Sequence, residues 1–135
     1  MAQEMKTLNT KLETLNKSEI QNSKQYDLGE RTFEFAKRVI AYINKLPKTL
    51  PNIEVARQLV RSSGSVGANY IEAEESLSKK DFAMRIKISR KESKESCYWL
   101  RLSEPKEHQH EERQELIQEA TELMKIFGSI VERSK

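Results

Sequence analysis

Apolar residues recur at steps of three and four in four segments of the chain, separated by short polar or proline-containing joints. This spacing gives each segment one apolar helical face, which a helix bundle needs for its core. The first joint, KLPKTLP, contains Pro47 and Pro51, and proline interrupts a helix. The second joint is SLSKK, where Ser78 is expected to cap the third helix, with Asp81 in its first turn. The third joint is SEPKEHQHEE.

The buried face of each predicted helix consists of apolar and small residues. In chain order the four sets are Thr32, Phe35, Ala36, Val39, Ile40, Ile43 and Leu46; Ala56, Leu59, Ser63, Val66, Tyr70, Ala73 and Leu77; Phe82, Ile86, Ser89, Ser93, Cys97 and Leu100; and Leu116, Ile117, Ala120, Leu123, Met124, Phe127, Ile130 and Val131. The serines of the third set would let a neighbouring backbone approach closely. The sequence therefore predicts an all-α four-helix bundle.

The third helix carries a second apolar set, Met84, Ile88, Trp99 and Leu102, nearly opposite the first at 100° per residue. A single bundle has only one interior, so these residues lie either at a subunit interface or on an exposed patch. Scattered surface hydrophobic residues are the alternative. We interpret the set as a self-association surface.

Charge is unevenly distributed, although the formal net charge is only +3. Residues 31–61 contain seven basic and two acidic side chains, and residues 79–101 contain eight and three. Residues 104–122 reverse the balance, with two basic and seven acidic side chains. The chain therefore has two basic segments and one acidic segment.

A basic stripe runs along the third helix, where Lys87, Lys91 and Lys94 lead to Tyr98. Lysines can neutralise phosphates and an aromatic ring can stack on an unpaired base, so these residues are candidate nucleic-acid contacts. Lys37 and Arg38 of the first helix are candidate phosphate contacts as well. A solvated helix face is the alternative interpretation.

A polar row on the second helix comprises Arg61, Ser65, Asn69 and Glu72. It is either a contact with RNA or a partner, or a hydrogen-bond network between helices or subunits in which Arg61 and Glu72 neutralise each other. We favour the network, because polar rows beside apolar interfaces commonly set register.

No catalytic constellation is recognisable, and we expect no enzymatic activity, cofactor or metal. His108 and His110, with Glu111, would form only a weak metal site in a joint. Cys97 has no base nearby in the sequence and lies among predicted core residues, so an inert thiol is expected. SSGSVGAN lies in a helical pattern without the strand or lysine of a phosphate-binding loop.

The chain has 135 residues, enough for one domain, which we place at residues 26–135. Residues 1–25 are an N-terminal extension in which Met5, Leu8, Leu12 and Leu15 step by three and four. A helix this short is marginal in water, so a docked helix and partial disorder are both open. No apolar run is long enough to span a bilayer and no signal peptide is recognisable, so a cytoplasmic protein without membrane contact is predicted.

The segments SVGANYIEA, SKKDF and KESKESCYWLRL resemble the small bacterial four-helix-bundle proteins encoded in intervening sequences of 23S ribosomal RNA. The resemblance covers residues 26–133 and departs at Gly67, where the family often has proline. It implies an up-down-up-down bundle that assembles as a homopentamer. It also implies kinship with the accessory protein that partners reverse transcriptase in diversity-generating retroelements and binds nucleic acid.

Two functions follow as hypotheses. The first is a homo-oligomeric protein that binds nucleic acid, with structured RNA favoured over DNA, through its basic helix faces. The second is a protein-interaction scaffold, whose partner could be a nucleic-acid-processing protein. Only the first predicts affinity that falls steeply with salt.

Overall fold

The computed structural model describes residues 27–135, in which the chain forms four α-helices and no β-strand. The helices are α1 (Leu28–Asn44), α2 (Leu50–Glu74), α3 (Lys79–Leu102) and α4 (His110–Arg133), the last preceded by a 3-10 turn at Glu107–Gln109. The prediction of an all-α protein with four helices is confirmed. The prediction for residues 1–25 lies outside the described residues.

Side-chain caps fix the starts of the first three helices. Asp27, Thr49 and Ser78 each accept a hydrogen bond from the backbone N–H three residues later, at 3.1, 3.3 and 3.1 Å. Such caps satisfy a backbone donor that has no partner within the helix. The prediction for Ser78 is thereby confirmed. Pro51 lies in the first turn of α2, where its missing N–H costs nothing, so α2 begins earlier than the prolines suggested.

The four helices enclose one hydrophobic core. Contacts join α1 with α2, α2 with α3, α3 with α4 and, less extensively, α4 with α1, so that α1 and α3 occupy opposite corners. The largest apolar side chains that are almost fully buried are Phe35, Val39, Tyr42, Leu59, Val66, Ile86, Leu100, Leu116, Leu123 and Phe127. Burying each such side chain contributes about 1.5–3 kcal/mol. This core is what holds the bundle together.

Two predicted core residues are wrong. Leu77 is fully exposed, because α2 ends at Glu74 and Leu77 lies in the following joint. Ile40 is 48% exposed. It follows the buried Val39 by one residue, and that step turns it about 100° away from the core. Ile40 instead faces the outer side of the α1–α2 contact.

Small side chains bring α2 and α3 close together. Ser89 Oγ donates to the carbonyl of Val66 at 2.9 Å, and the hydroxyls of Ser62 and Ser96 are 2.9 Å apart. Ser93 is also fully buried. The prediction that serines permit a close approach here is confirmed, with Ser62 and Ser96 as additional members.

Gly67 plays the same part where α1 meets α2. A Cβ at this position would lie 2.9 Å from the hydroxyl oxygen of Thr32 and 3.2 Å from its Cβ. Contacts this short are tighter than ordinary packing, so a larger residue would require the Thr32 side chain or the helices to shift. Gly67 therefore serves helix packing.

Asn52 joins the two joints that lie at one end of the bundle. Its amide nitrogen donates to the carbonyls of Pro47 and Glu104, both at 2.9 Å, and its Oδ1 accepts from the Glu104 N–H at 2.9 Å. The residue is only 2% exposed. One side chain thus satisfies three backbone groups of two separate connections.

Candidate nucleic-acid interface

The outer face of α3 carries the predicted stripe. Lys87, Lys91, Lys94 and Tyr98 fall within an arc of about 60° on the side away from the core. All four are exposed, Tyr98 by 55%. None of the ion pairs among residues 27–135 involves the three lysines. The three lysines therefore have no ion-pair partner among these residues, although the charge of Lys91 acts on the neighbouring Glu92. The stripe presents them to solvent together with one aromatic ring.

Tyr98 is positioned by its neighbour. Its ring meets the ring of Trp99 edge-on, with centroids 5.0 Å apart and planes at 81°. The indole nitrogen of Trp99 donates to Glu95 Oε1 at 3.4 Å, and Trp99 also packs against the core. The half-buried Trp99 restrains the tyrosine ring, which remains accessible for stacking.

Lys37 and Arg38 do not join this stripe, because α1 and α3 lie at opposite corners of the bundle. Lys37 Nζ is 3.8 Å from a carboxylate oxygen of Glu34, and Arg38 is 3.9 Å from Glu115. The six predicted nucleic-acid contacts therefore form two separate surfaces. Only on the α3 surface do the predicted basic contacts form no ion pair with an acid among the residues described.

The acidic segment on α4 accounts for this difference. Arg31 donates two hydrogen bonds of 2.8 Å to the carboxylate of Glu119, which raises the pKa of the guanidinium above its ordinary value. Lys45 Nζ lies 3.0 Å from Glu112. The basic excess of α1 is thus partly neutralised within the bundle by α4. The stripe on α3 faces solvent and keeps its charge.

The polar row on α2 is divided between two partners on α3. Arg61 lies 2.8 Å from Glu95, while Asn69 Oδ1 accepts a hydrogen bond from Arg85 at 3.1 Å. Asn69 also donates to the carbonyl of Ser65 at 2.9 Å. Arg61 does not pair with Glu72, which is eleven positions later and therefore about 16 Å away along the helix. The row contributes contacts between α2 and α3, and its functional role stays a prediction.

Glu92, which the sequence analysis missed, is a buried acid beside this row. It is 5% exposed, and its Oε2 has no hydrogen-bond partner although Arg61 NH1 lies 3.6 Å away. Burial, with a smaller effect of the nearby Glu95 charge, raises the pKa of Glu92. Its place three residues after the core residue Ser89 was the available signal, since i and i+3 share a helix face.

Replacing Glu92 with glutamine is expected to stabilise the protein at pH 7. The raised pKa means that the ionised form is disfavoured in the folded state, a cost present above that pKa and relieved as the pH falls through it. We expect a gain of about 1 kcal/mol, or about 3 °C in Tm, measured by thermal unfolding.

The exposed Glu72→Gln variant is the control for this experiment and should leave Tm unchanged. The advantage of Glu92→Gln should shrink as the pH falls toward the raised pKa. An unchanged or lowered Tm at pH 7 would show that the ionised carboxylate of Glu92 does not destabilise the fold.

The predicted subunit-interface set is only partly exposed. Met84 and Leu102 are 49% and 48% exposed, whereas Ile88 and Trp99 are half-buried. Trp99 packs against the core, so it does not lie opposite the core as predicted. Met84 and Leu102 stand about 27 Å apart along the helix axis. Their place in a subunit interface stays a prediction.

The histidines, the cysteine and the helix lengths bear on metal binding, thiol chemistry and membrane spanning in residues 27–135. No group of three or more His, Cys, Asp or Glu side chains in that range is arranged to hold a metal ion. His110 Nε2 is 3.9 Å from Glu107, and the half-buried thiol of Cys97 lies 3.5 Å from the hydroxyl of Thr121. No helix in this range has both the length and the apolar character needed to cross a membrane.

Comparison with known proteins agrees with this architecture. The profile of 23S rRNA-intervening sequence proteins matches residues 24–129. A crystal structure of a protein of unknown function from the S23 ribosomal protein family of Bacteroides thetaiotaomicron VPI-5482 superposes with a TM-score of 0.64 at 31% identity, covering 76% of this chain and 96% of that one. Among curated proteins none matches. The chain therefore belongs to the 23S rRNA-intervening sequence protein family.

Proposed function

We propose that this protein is a non-enzymatic, homo-oligomeric RNA-binding protein that contacts structured RNA through the outer face of α3. The observation that carries the proposal is the exposed stripe of Lys87, Lys91 and Lys94, without ion pairs among the described residues, beside the exposed ring of Tyr98. Acidic side chains of α4 instead pair with Arg31 and Arg38 of the other basic helix, α1.

The dimensions of the stripe suit a nucleic-acid strand. Lys87 and Lys94 are about 10 Å apart along the helix axis, so the lysines of the stripe can meet more than one phosphate of the same strand. Tyr98 extends the stripe by about one more helical turn and can stack on a base that is not paired. Such a surface favours RNA with loops or bulges over a uniform duplex.

An up-down-up-down order of helices and a pentameric ring are part of this proposal. Contacts whose residue numbers run in opposite directions support the helix order, such as Arg61 with Glu95 and Asn69 with Arg85 between α2 and α3. Repeating the α3 face around a ring would increase affinity through avidity without any new contact.

The proposal is tested by titrating the protein into a labelled RNA stem-loop and following fluorescence anisotropy. Micromolar or tighter binding that weakens with added salt is expected. Absence of binding at about 50 mM salt would contradict RNA binding. That result would favour the second hypothesis, a protein scaffold, which the exposed apolar residues of the bundle would serve.

Self-association has a separate test. Changing Met84 and Leu102 together to glutamine should lower the mass measured by light scattering from about five chains toward one, because it removes the exposed apolar groups of α3. Ile71→Gln changes an equally exposed residue of α2 and should leave the mass unchanged. A monomeric wild-type protein would contradict the ring.

A further inference from the structure

A second apolar surface, independent of the RNA-binding proposal, lies on the outer side of the contact between α1 and α2. It is formed by Phe33 and Ile40 of α1 and by Ile53, Val60 and Ile71 of α2, which are 41–56% exposed. At 100° per residue, each set follows one edge of its helix, and the two edges face each other. We call this surface the α1–α2 groove.

The groove has room for an additional element. An open cavity of about 470 Å³ lies at its end near Pro47, with Ile43, Ala56 and Val60 among the lining residues. Further along α2, a Cβ at Gly64 would meet no atom within 4 Å. The groove is therefore apolar, open and unfilled by any residue from 27 to 135.

We propose that residues 5–15 of the same chain dock in the α1–α2 groove as an amphipathic helix. This segment lies outside the described residues, and its sequence places Met5, Leu8, Leu12 and Leu15 at steps of three, four and three. These steps put all four side chains on one helical face. The proposal thus matches the apolar face that this sequence pattern predicts with a groove that no residue from 27 to 135 fills.

The length of the intervening chain permits this docking. Eleven residues lie between Leu15 and Asp27, and the twelve Cα–Cα steps from Leu15 to Asp27 can span up to about 40 Å when extended. Helix α1 starts next to Asp27, and its 17 residues measure only about 26 Å. The segment can therefore reach either end of the groove.

Tethering favours the chain's own segment over a second copy. A short flexible connection gives an effective concentration in the millimolar range. A second molecule at micromolar concentration would have to bind about a thousandfold more tightly to compete. Docking also supplies the tertiary contacts that an isolated helix of eleven residues lacks in water.

Cysteine cross-linking in the full chain tests the proposal. In a Cys97→Ser background, cysteines are placed at Leu12 and Val60 and joined with a short bifunctional maleimide. A high yield of cross-link within one chain is expected, identified by mass spectrometry after denaturing electrophoresis. The control pair is Leu12→Cys with Gln118→Cys on the exposed face of α4, which should cross-link at least tenfold less.

The cross-linking result distinguishes the chain's own segment from a second copy of the chain as the occupant of the groove. Cross-links between two chains would overturn the proposal in favour of a second copy in the groove. Equal yields for the test and control pairs would show that residues 5–15 have no preferred site and would overturn it too.

A second measurement does not depend on cross-linking. Changing Leu8 and Leu12 to glutamine in the full chain should uncover the groove and increase the fluorescence of a bound hydrophobic dye at least twofold, with unchanged helix content of the bundle. Unchanged dye fluorescence would contradict docking.

Discussion

Replacing Asn52 with alanine is expected to lower the free energy of unfolding by about 3 kcal/mol, because three hydrogen bonds are lost at about 1 kcal/mol each. The amide of Asn52 is the shared partner of Pro47 and Glu104, which belong to different joints. Its removal leaves these part-buried backbone groups without their partner in the folded chain. Chemical denaturation followed by circular dichroism would measure the loss.

Asn44→Ala is the matched control, since Asn44 is an exposed residue at the end of α1. We expect that variant to stay within about 0.5 kcal/mol of the wild type. If Asn52→Ala unfolded at the same denaturant concentration as Asn44→Ala, the two joints would not depend on the asparagine for their stability.

The helices and most of the core were predictable because they depend on local periodicity. Leu59, Val66, Leu123 and Phe127 repeat at helical spacing and are buried as expected. The cap Ser78 is equally local, since it bonds to a backbone group three residues away. Structural features that depend on contacts within one or two helical turns can therefore be predicted from this sequence.

Features that join distant segments were not predictable. Asn52 meets Glu104 across 52 positions of sequence, and no pattern near either residue signals that contact. Likewise, the bond between Arg31 and Glu119 determines which basic segment is neutralised, and it depends on which helices are neighbours. The charge count predicted that the two basic segments were equally suited to bind phosphates. Packing instead leaves the lysines of the α3 stripe without ion pairs among the described residues, whereas basic side chains of α1 pair with α4.

The apolar residues of α3 show where periodicity misleads. Trp99 was expected on the side away from the core because of its angular position. Its side chain is long enough to lie back against the core while its nitrogen reaches Glu95. Large aromatic residues on the flank of a helix can thus be half-buried where the helical angle alone indicates exposure.

Changing Lys87, Lys91 and Lys94 together to glutamine is expected to weaken binding of structured RNA at least about tenfold at moderate salt, because three phosphate contacts are lost. Glutamine keeps the length and helix propensity of the side chains, so the bundle should remain intact. The dissociation constant would be measured by fluorescence anisotropy, and circular dichroism would verify the fold.

The control variant changes Lys48, Lys106 and Lys125 to glutamine, which alters the net charge equally at exposed positions away from the stripe. We expect a much smaller loss of affinity for this variant. Equal losses for the two variants would mean that RNA responds to total charge, and that the α3 face has no special role.

The central claim is tested most directly by the salt dependence of the RNA dissociation constant. It is measured for the wild type and for the variant in which Lys87, Lys91 and Lys94 are changed to glutamine. Each phosphate contact contributes about 0.7 to 0.9 to the slope of log affinity against log salt. We predict a steep slope for the wild type and a slope reduced by about 2 to 3 in the variant. Identical slopes would show that these lysines do not contact phosphates and would contradict RNA binding by the outer face of α3.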